Sequence, residues 1–197
     1  MPELKPHAEP FDRFRELLGL AEASGLADPN AMTLTTVGED GFPSSRMVLL
    51  KSVDEEGFVF YTNLESRKGR QILAHPKASL TFFWRPLDVQ VHVEGEARQV
   101  SDEEADAYFA TRPRGSQLGA WASRQSRPMK GRAELLAEVA KVEARYLARA
   151  VPRPPHWSGF RVVPRRIEFW KAGTFRLHHR ELYEPSGDGW TVTVLFP

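Results

Sequence analysis

Arg46-Met-Val-Leu-Leu-Lys51, Asp54-Glu-Glu-Gly57, Phe58-Val-Phe-Tyr-Thr-Asn63 and Ser66-Arg-Lys-Gly-Arg70 are the consecutive pieces on which the reading of this chain turns. The first is an apolar tetrad with a cation at each end, and its aliphatic and β-branched content predicts a strand. Side chains alternate along a strand, so Arg46, Val48 and Leu50 share one face and Met47, Leu49 and Lys51 the other. The acidic-glycine turn predicts a hairpin, with Phe58 to Thr62 as the return strand. Ser66 is a good N-cap for a short helix running towards Ala74, which His75-Pro76 stops. Arg67 and Lys68 then occupy the first helical turn, where the helix dipole disfavours cations, and Arg70 adds a third. A bound anion reverses that penalty, because free backbone N–H groups already point there. The two readings left open are a phosphate site at a helix N-terminus and a solvated basic turn.

The bulk numbers bound the rest. With 197 residues, 41% hydrophobic and 27% charged, one globular domain with a sizeable core is expected over 1–197. A formal net charge of +1 leaves no global field to attract nucleic acid or a membrane surface. The chain has no cysteine, which excludes disulfides, thiol nucleophiles and cysteine-ligated metal centres and fits a cytoplasmic protein. No apolar run is long enough to span a bilayer. Pro2, Glu3, Lys5 and Glu9 break any signal-peptide core.

In chain order, residues 1–10 are polar and read as a loose arm. Phe11, Phe14, Leu17, Leu18 and Ala21 recur at helical spacing, with Gly25 as the stop. Ala31 to Val37 alternates Met32, Leu34 and Thr36 against Thr33, Thr35 and Val37. Residues 31–62 therefore read as three strands in an antiparallel meander. Ala78 to Trp84 and Val89 to Glu94 are further strands, and Gln90 lies on the polar face of the second. Ser101 with Glu104 forms a capping box for a helix ending near Thr111. Residues 117–131 read as a long polar loop. From Arg132 a helix carries Leu135, Leu136, Val139, Val142, Tyr146 and Leu147 on one face. Gly159–Val163, Arg166–Trp170, Phe175–Tyr183 and Trp190–Leu195 complete the count. Seven or eight strands with three main helices make a mainly β chain, a β-barrel with peripheral helices.

Two further groups of residues carry chemistry. Tyr108 and Arg112 share a helix face, and Ser116 follows on a Pro/Gly loop. A phenol, a guanidinium and a hydroxyl converging make a phosphate grip; a Tyr–Arg packing pair is the other reading. In a strand over 175–183, Arg176, His178 and Arg180 share one face, with Leu177 and His179 opposite. Three basic groups in a row repel unless an anion or a carboxylate faces them. A His between two Arg is also the side chain best able to move a proton near neutral pH.

With these residues on the page, the chain resembles the pyridoxine (pyridoxamine) 5′-phosphate oxidase family from Ala27 onwards. The resemblance rests on Arg46 to Lys51, Phe60 to Asn63 with Ser66 to Gly69, Tyr108-Phe109 with Arg112 to Gln117, Gly119 to Trp121 with Gln125-Ser126, Ile167 to Trp170, and Arg176 to His178 with Arg180. It implies an FMN-binding split β-barrel working as a homodimer, with the flavin at the subunit interface and residues 159–197 completing the active site. By similarity, Arg46, Met47, Val48, Leu49, Leu50, Lys51, Tyr61, Thr62, Arg67 and Lys68 hold FMN, the last two at its phosphate. Gln90, Gln125, Ser126, Trp170 and Arg180 complete that site. Lys51, Tyr108, Arg112 and Ser116 grip the phosphate of a small phosphorylated pyridine, while Arg176, Leu177 and His178 lie by its ring. Two positions depart from the family pattern. His179 stands where an acidic residue is usual, and the arm before Phe11 lacks the basic and Tyr residues that often close over the substrate.

The implied reaction is oxidation of pyridoxine 5′-phosphate or pyridoxamine 5′-phosphate by O2 to pyridoxal 5′-phosphate, releasing hydrogen peroxide, and ammonia from the amine. The flavin carries the redox chemistry and the protein supplies position and charge. Arg176 is expected to orient the substrate and stabilise developing negative charge, and His178 to orient the ring or relay a proton. Three rivals are a related flavin oxidase acting on a phenazine-type aromatic, a flavin-binding protein without turnover, and a nucleic-acid binder. The phosphate grip argues against the first and the Arg176–His178 pair against the second. The charge balance argues against the third.

Overall fold

Two strands that lie at opposite edges of the sheet are separated by two residues of chain, and that closeness dictates the shape. The computed structural model describes residues 9–197. Their order is α1 (Pro10–Ala23), β1 (Ala31–Val37), β2 (Pro43–Leu49), β3 (Ser52–Asp54), β4 (Gly57–Asn63), α2 (Arg67–Ala74), β5 (Lys77–Trp84), β6 (Val89–Gln99), α3 (Asp102–Thr111), α4 (Arg114–Ala122), α5 (Arg132–Arg145), β7 (Trp157–Lys171), β8 (His179–Ser186) and β9 (Gly189–Val194). The strands run β2-β1-β5-β6-β7-β4-β3, with β8 and β9 added at β7. Because only Leu50 and Lys51 join β2 to β3, the sheet must curl until its edges meet. The seam is stitched where Leu50 N donates to Asn30 O at 2.9 Å and Lys51 N to Val59 O at 2.8 Å.

Strand β7 is the spine. Along one edge it pairs with β6. Along the other, its first half pairs with β4, from Asn63↔Trp157 to Phe58↔Val162, and its second half with β8, from Ile167↔Tyr183 to Lys171↔His179. The sheet therefore forks, which makes a split barrel rather than a closed one. The fork is placed by Pro164, which lacks an N–H for the ladder. Beside it Arg165 is the extra residue of a bulge in β7, since Glu94 of β6 pairs with Arg166 and Gly95 with Pro164. A Cβ on Gly95 would lie 2.1 Å from the Val163 carbonyl oxygen, so only glycine fits opposite the bulge.

Inward residues at alternate positions fill the barrel: Met32 and Leu34, Leu80 and Phe82, Val91 and Val93 are buried. Helix α1 plugs it, with the Phe14 ring 4.9 Å from those of both Phe58 and Phe82. A second buried cluster of Phe109, Leu118, Val151 and Trp157 fixes α3 and α4 to the start of β7.

Several sequence expectations change. Strand β2 pairs with β1 but not with the return strand; β4 pairs instead with the short β3, so residues 31–62 form two hairpins on opposite edges rather than one meander. The expected loop over 117–131 is helical up to Ala122, and Ser116 sits in the first turn of α4 rather than on a loop. The strands expected at 159–163 and 166–170 are one strand through Pro164. The described residues hold nine strands and five α-helices, against the expected seven or eight and three. The apolar face expected on α5 buries no residue fully, and Leu136 and Leu147 are exposed. Of the arm expected over 1–10, residues 1–8 lie outside the described residues, and Pro10 already opens α1.

The strand expected over 175–183 begins only at His179. Residues Thr174–Arg176 form a 3-10 turn in which Phe175 and Arg176 take φ of 55° and 64°. Arg176 and His178 are therefore not in the regular alternation with Arg180 that strand geometry would impose.

Candidate active site

Helix α2 is the anchor of a cleft. Ser66 Oγ caps it by accepting from Gly69 N at 3.2 Å. A Cβ on Gly69 would lie 2.4 Å from the Leu64 carbonyl oxygen, so glycine lets the helix start hard against the end of β4. That brings Lys68 to Thr62: Lys68 Nζ donates to Thr62 Oγ1 at 3.2 Å and to Gln125 Oε1 at 2.9 Å. Arg67 N donates to Ser126 Oγ at 3.1 Å. Asn63 Nδ2 donates to Ser123 O at 3.3 Å, tying the segment after α4 to the same place. Behind them Arg46 donates to Leu34 O, Thr36 Oγ1 and Ser44 Oγ at 3.2, 2.7 and 2.6 Å.

The cleft has a volume of about 660 Å³ and is lined by Met47, Val48, Leu49, Lys51, Tyr61, Thr62, Lys68, Tyr108, Arg112, Ser116 and Gln125 among others. That size suits a cofactor or drug-sized ligand, for which roughly 300–1,000 Å³ is usual. Among the described residues three cations line it, Lys51, Lys68 and Arg112, and no carboxylate does. Several arginines elsewhere are paired: Arg153 with Asp102 and Asp106, Arg161 with Asp54, Arg166 with Glu184, Arg180 with Glu168. Among the described residues, no ion pair engages Arg46, Lys51, Arg67, Lys68 or Arg112.

That imbalance is felt by the groups themselves. Burial, and then the neighbouring Arg46, pull the Lys68 ammonium down to about 8. Burial and then Arg67 lower Arg46, and burial lowers Arg112, against the opposing pull of Tyr108. Arg112 Nη1 is buried without a hydrogen-bond partner. Unpaired cations around a cleft, an unsatisfied guanidinium nitrogen and a helix N-terminus are a donor set made for anions.

The cleft also has an aromatic wall. The Tyr61 and Tyr108 rings stack at 4.0 Å and 16°, and Tyr61 lies at 5.3 Å and 8° from Trp157. Gly159 makes room for it, since a Cβ there would lie 2.7 Å from the Tyr61 ring. Burial, followed by Glu104 and Tyr108, raises the Tyr61 phenol to about 12, so it stays a neutral donor.

A second constellation lies outside this cleft. Gln90, Trp170 and Arg180 pair in register across β6, β7 and β8 and so form one row. Glu168 holds Arg180 in a fork, Oε1 accepting from Nε at 2.8 Å and Oε2 from Nη2 at 3.0 Å. The His178 ring lies 4.6 Å from that of Trp170, and Gly173 N donates to its Nδ1 at 3.3 Å. Leu177 is exposed, and His179, the departure from the acidic pattern, turns to Glu181 at 3.4 Å. Leu50 is placed in the core and not in the cleft. The structure thus brings eleven of the expected site residues into one cleft, leaves Arg46, Leu50, Arg67 and Ser126 outside its lining, keeps Gln90, Trp170, Arg176, Leu177, His178 and Arg180 apart, and adds Trp157, Asn63, Gly119 and Ser123 to the lining. Trp157 was missed because it falls between the stiff proline connector and the expected start of the strand at Gly159.

Residues 21–171 match the family model described as pyridoxamine 5′-phosphate oxidase. Residues 157–197 match the pyridoxine 5′-phosphate oxidase C-terminal dimerisation region, which makes the chain one that forms a homodimer. A pyridoxine/pyridoxamine 5′-phosphate oxidase of Myxococcus xanthus is 58% identical over 189 residues, covering 96% of this chain and 92% of the relative. One of Rhodospirillum rubrum is 57% identical over 194 residues, covering 96% of each. Among solved structures, PhzG from Burkholderia lata in complex with tetrahydrophenazine-1-carboxylic acid superposes with a TM-score of 0.92 at 35% identity, over 100% of this chain and 97% of that one. An FMN-binding protein of Nostoc punctiforme, at 17% identity and a TM-score of 0.73 over 93% of this chain and 97% of its own, shares the fold. The chain belongs to the pyridoxamine 5′-phosphate oxidase family, a family of FMN-dependent oxidoreductases.

Proposed function

We propose that the protein is an FMN-dependent pyridoxal 5′-phosphate synthase. Pyridoxine 5′-phosphate and O2 give pyridoxal 5′-phosphate and hydrogen peroxide; pyridoxamine 5′-phosphate, O2 and water give the same products plus ammonia. The observation that carries this reading is the cleft with three cations and no carboxylate, where a second unpaired cluster, Arg46 and Arg67, backs Lys68. One phosphate at α2 and another at Arg112 account for both clusters.

FMN, held by the residues below, would supply the two-electron redox chemistry that links oxidation at the C4′ carbon to reduction of O2. The chain does the rest. Arg67, Lys68 and the N-terminal end of α2 hold the flavin phosphate, and Thr62, Gln125 and Ser126 orient the cations. Lys51, Tyr108, Arg112 and Ser116 hold the substrate phosphate and fix its ring at the flavin, which lowers the entropic part of the barrier. In the homodimer, Gln90, Trp170 and Arg180 of a second copy close the flavin site, with the flavin at the interface. Arg176 and His178 come with them to the substrate ring, so that residues 159–197 complete the active site. The domain that does this spans 1–197, and a cytoplasmic location goes with this reading.

The second reading is a phenazine-type oxidase, favoured by the superposition on PhzG. The identity of 54–58% to pyridoxine/pyridoxamine 5′-phosphate oxidases and the unpaired Arg112 favour the first. The test is to load the purified protein with FMN and follow peroxide and aldehyde with pyridoxine 5′-phosphate, beside a dihydrophenazine carboxylate. Aldehyde formation with the phosphorylated pyridine is expected; turnover of the phenazine alone would overturn the proposal.

A further inference from the structure

Trp157 is buried in the floor of the cleft, and neither the sequence motifs nor the reaction uses it. Its neighbours are particular. The Arg112 guanidinium carbon lies 4.7 Å from its ring centroid and 5.5 Å from that of Phe109. The Phe109 ring meets Trp157 edge-on at 5.0 Å and 71°, so the two aromatics form a corner around the cation. Among the described residues no carboxylate pairs with Arg112 and no hydrogen bond satisfies its Nη1. A half-buried guanidinium with neither kind of partner is held by the ring faces, and a cation over an indole face is the strongest contact of that type.

The backbone that carries the indole is itself fixed. Trp157 N donates to Pro154 O at 3.0 Å, and Arg153 Nη1 donates to Trp157 O at 2.9 Å. Arg153 is in turn held by Asp102 and Asp106 at the start of α3, the helix that ends at Arg112. Helix α3 and the start of β7 are thus clamped together at both ends, by ion pairs at one and by the cation–ring contact at the other.

We infer that Trp157 is a positioning residue for the substrate phosphate: it holds Arg112 over its indole so that the guanidinium, which lines the cleft and meets no carboxylate there, stays free for the phosphate oxygens. This deepens the proposed function and rests on it. A carboxylate in the same place would hold Arg112 more strongly but would neutralise it and repel the substrate. An aromatic face holds the cation without competing for its N–H groups.

The test is a cycle on FMN-loaded enzyme with pyridoxine 5′-phosphate, comparing Trp157→Leu, Arg112→Met and the double variant. Trp157→Leu is expected to raise KM roughly 2- to 30-fold, the value of one cation–π contact, with kcat at saturation and FMN content held. In the Arg112→Met background it should add nothing. Trp157→Phe, with a smaller ring face, should fall between wild type and Trp157→Leu. Equal KM in wild type and Trp157→Leu, or fully additive effects, overturn the inference, since a purely structural Trp157 would act whatever stands at 112. Should Trp157→Leu fail to fold, Trp157→Phe carries the cycle, and a KM for it equal to wild type overturns the inference. If instead wild type shows no turnover, or Arg112→Met leaves KM unchanged, it is the phosphate-grip reading that fails.

Discussion

The cleft around α2 and the row on β6, β7 and β8 treat their cations in opposite ways. In the cleft, Lys51, Lys68 and Arg112 pair with no carboxylate among the described residues, and Arg46 and Arg67 crowd in behind. In the row, Arg180 is forked by Glu168 and rests against the Phe196 carbonyl, so its guanidinium is anchored before any ligand arrives. The first region stores unbalanced positive charge and is made to be neutralised. The second is a preassembled wall, rigid in its strand ladder and balanced in charge. A site assembled from the two needs one to supply binding energy and the other to supply shape, and only the first is a cleft within one chain.

That contrast can be broken by mutation. Arg176 belongs to the second region and is assigned to the reacting end of the substrate. Arg176→Ala should lower kcat by about 10²- to 10³-fold, the loss typical for one group stabilising developing charge, while FMN absorbance per chain is unchanged. An unaltered kcat removes Arg176 from the chemistry. Arg67 belongs to the first region, so Arg67→Ala should act on binding instead, weakening FMN affinity by about tenfold to a hundredfold, the range for a charge-assisted contact. Titrating apoprotein by flavin fluorescence quenching measures it, and wild-type affinity would remove the α2 phosphate site.

A smaller effect sharpens the electrostatic half of the comparison. The folded-state value of Lys68, about 8, lies below the usual lysine value. A cation depressed in this way binds fewer protons folded than unfolded, so the apoprotein should gain stability as pH rises from about 8 towards the unfolded lysine value. A bound phosphate dianion favours the charged ammonium and raises its pKa. FMN binding should therefore take up a proton above pH 8, and affinity should fall by up to about tenfold per pH unit there. Isothermal calorimetry in buffers of different ionisation enthalpy reads the proton directly. The uptake should vanish in Lys68→Met, and its persistence there would assign the proton elsewhere.

Local signals carried much of this into the sequence. Ser66 as a cap, the Arg67-Lys68 turn behind it and the alternation of Met32, Leu34 and Thr36 are statements about neighbours in the chain, and all three appear in the structure. The Tyr108, Arg112 and Ser116 grouping is placed together in the cleft, although Ser116 arrives on a helix. What the chain hides is set by long-range closure. No local pattern tells β2 to leave β4 and find the far edge of the sheet, because that follows from the β7 fork and the Leu50–Lys51 seam. The segment at 175–178 alternates like a strand, yet Phe175 and Arg176 adopt left-handed backbone that periodicity cannot announce. Trp157 looks like any core aromatic until Arg112, 45 positions earlier in the numbering, is seen against its ring.

The central claim is that each flavin is held by the cleft of one chain and the row of another. Mixed dimers decide it. Arg67→Ala and Arg180→Ala homodimers each damage both sites, and the hybrid formed from one chain of each is isolated with two affinity tags. If the site is shared between chains, one site in the hybrid carries both lesions and the other none, so about one FMN per hybrid dimer and a matching share of oxidase activity should return. If each chain holds its own flavin alone, both sites in the hybrid stay damaged, and no recovery of FMN or activity would contradict the account.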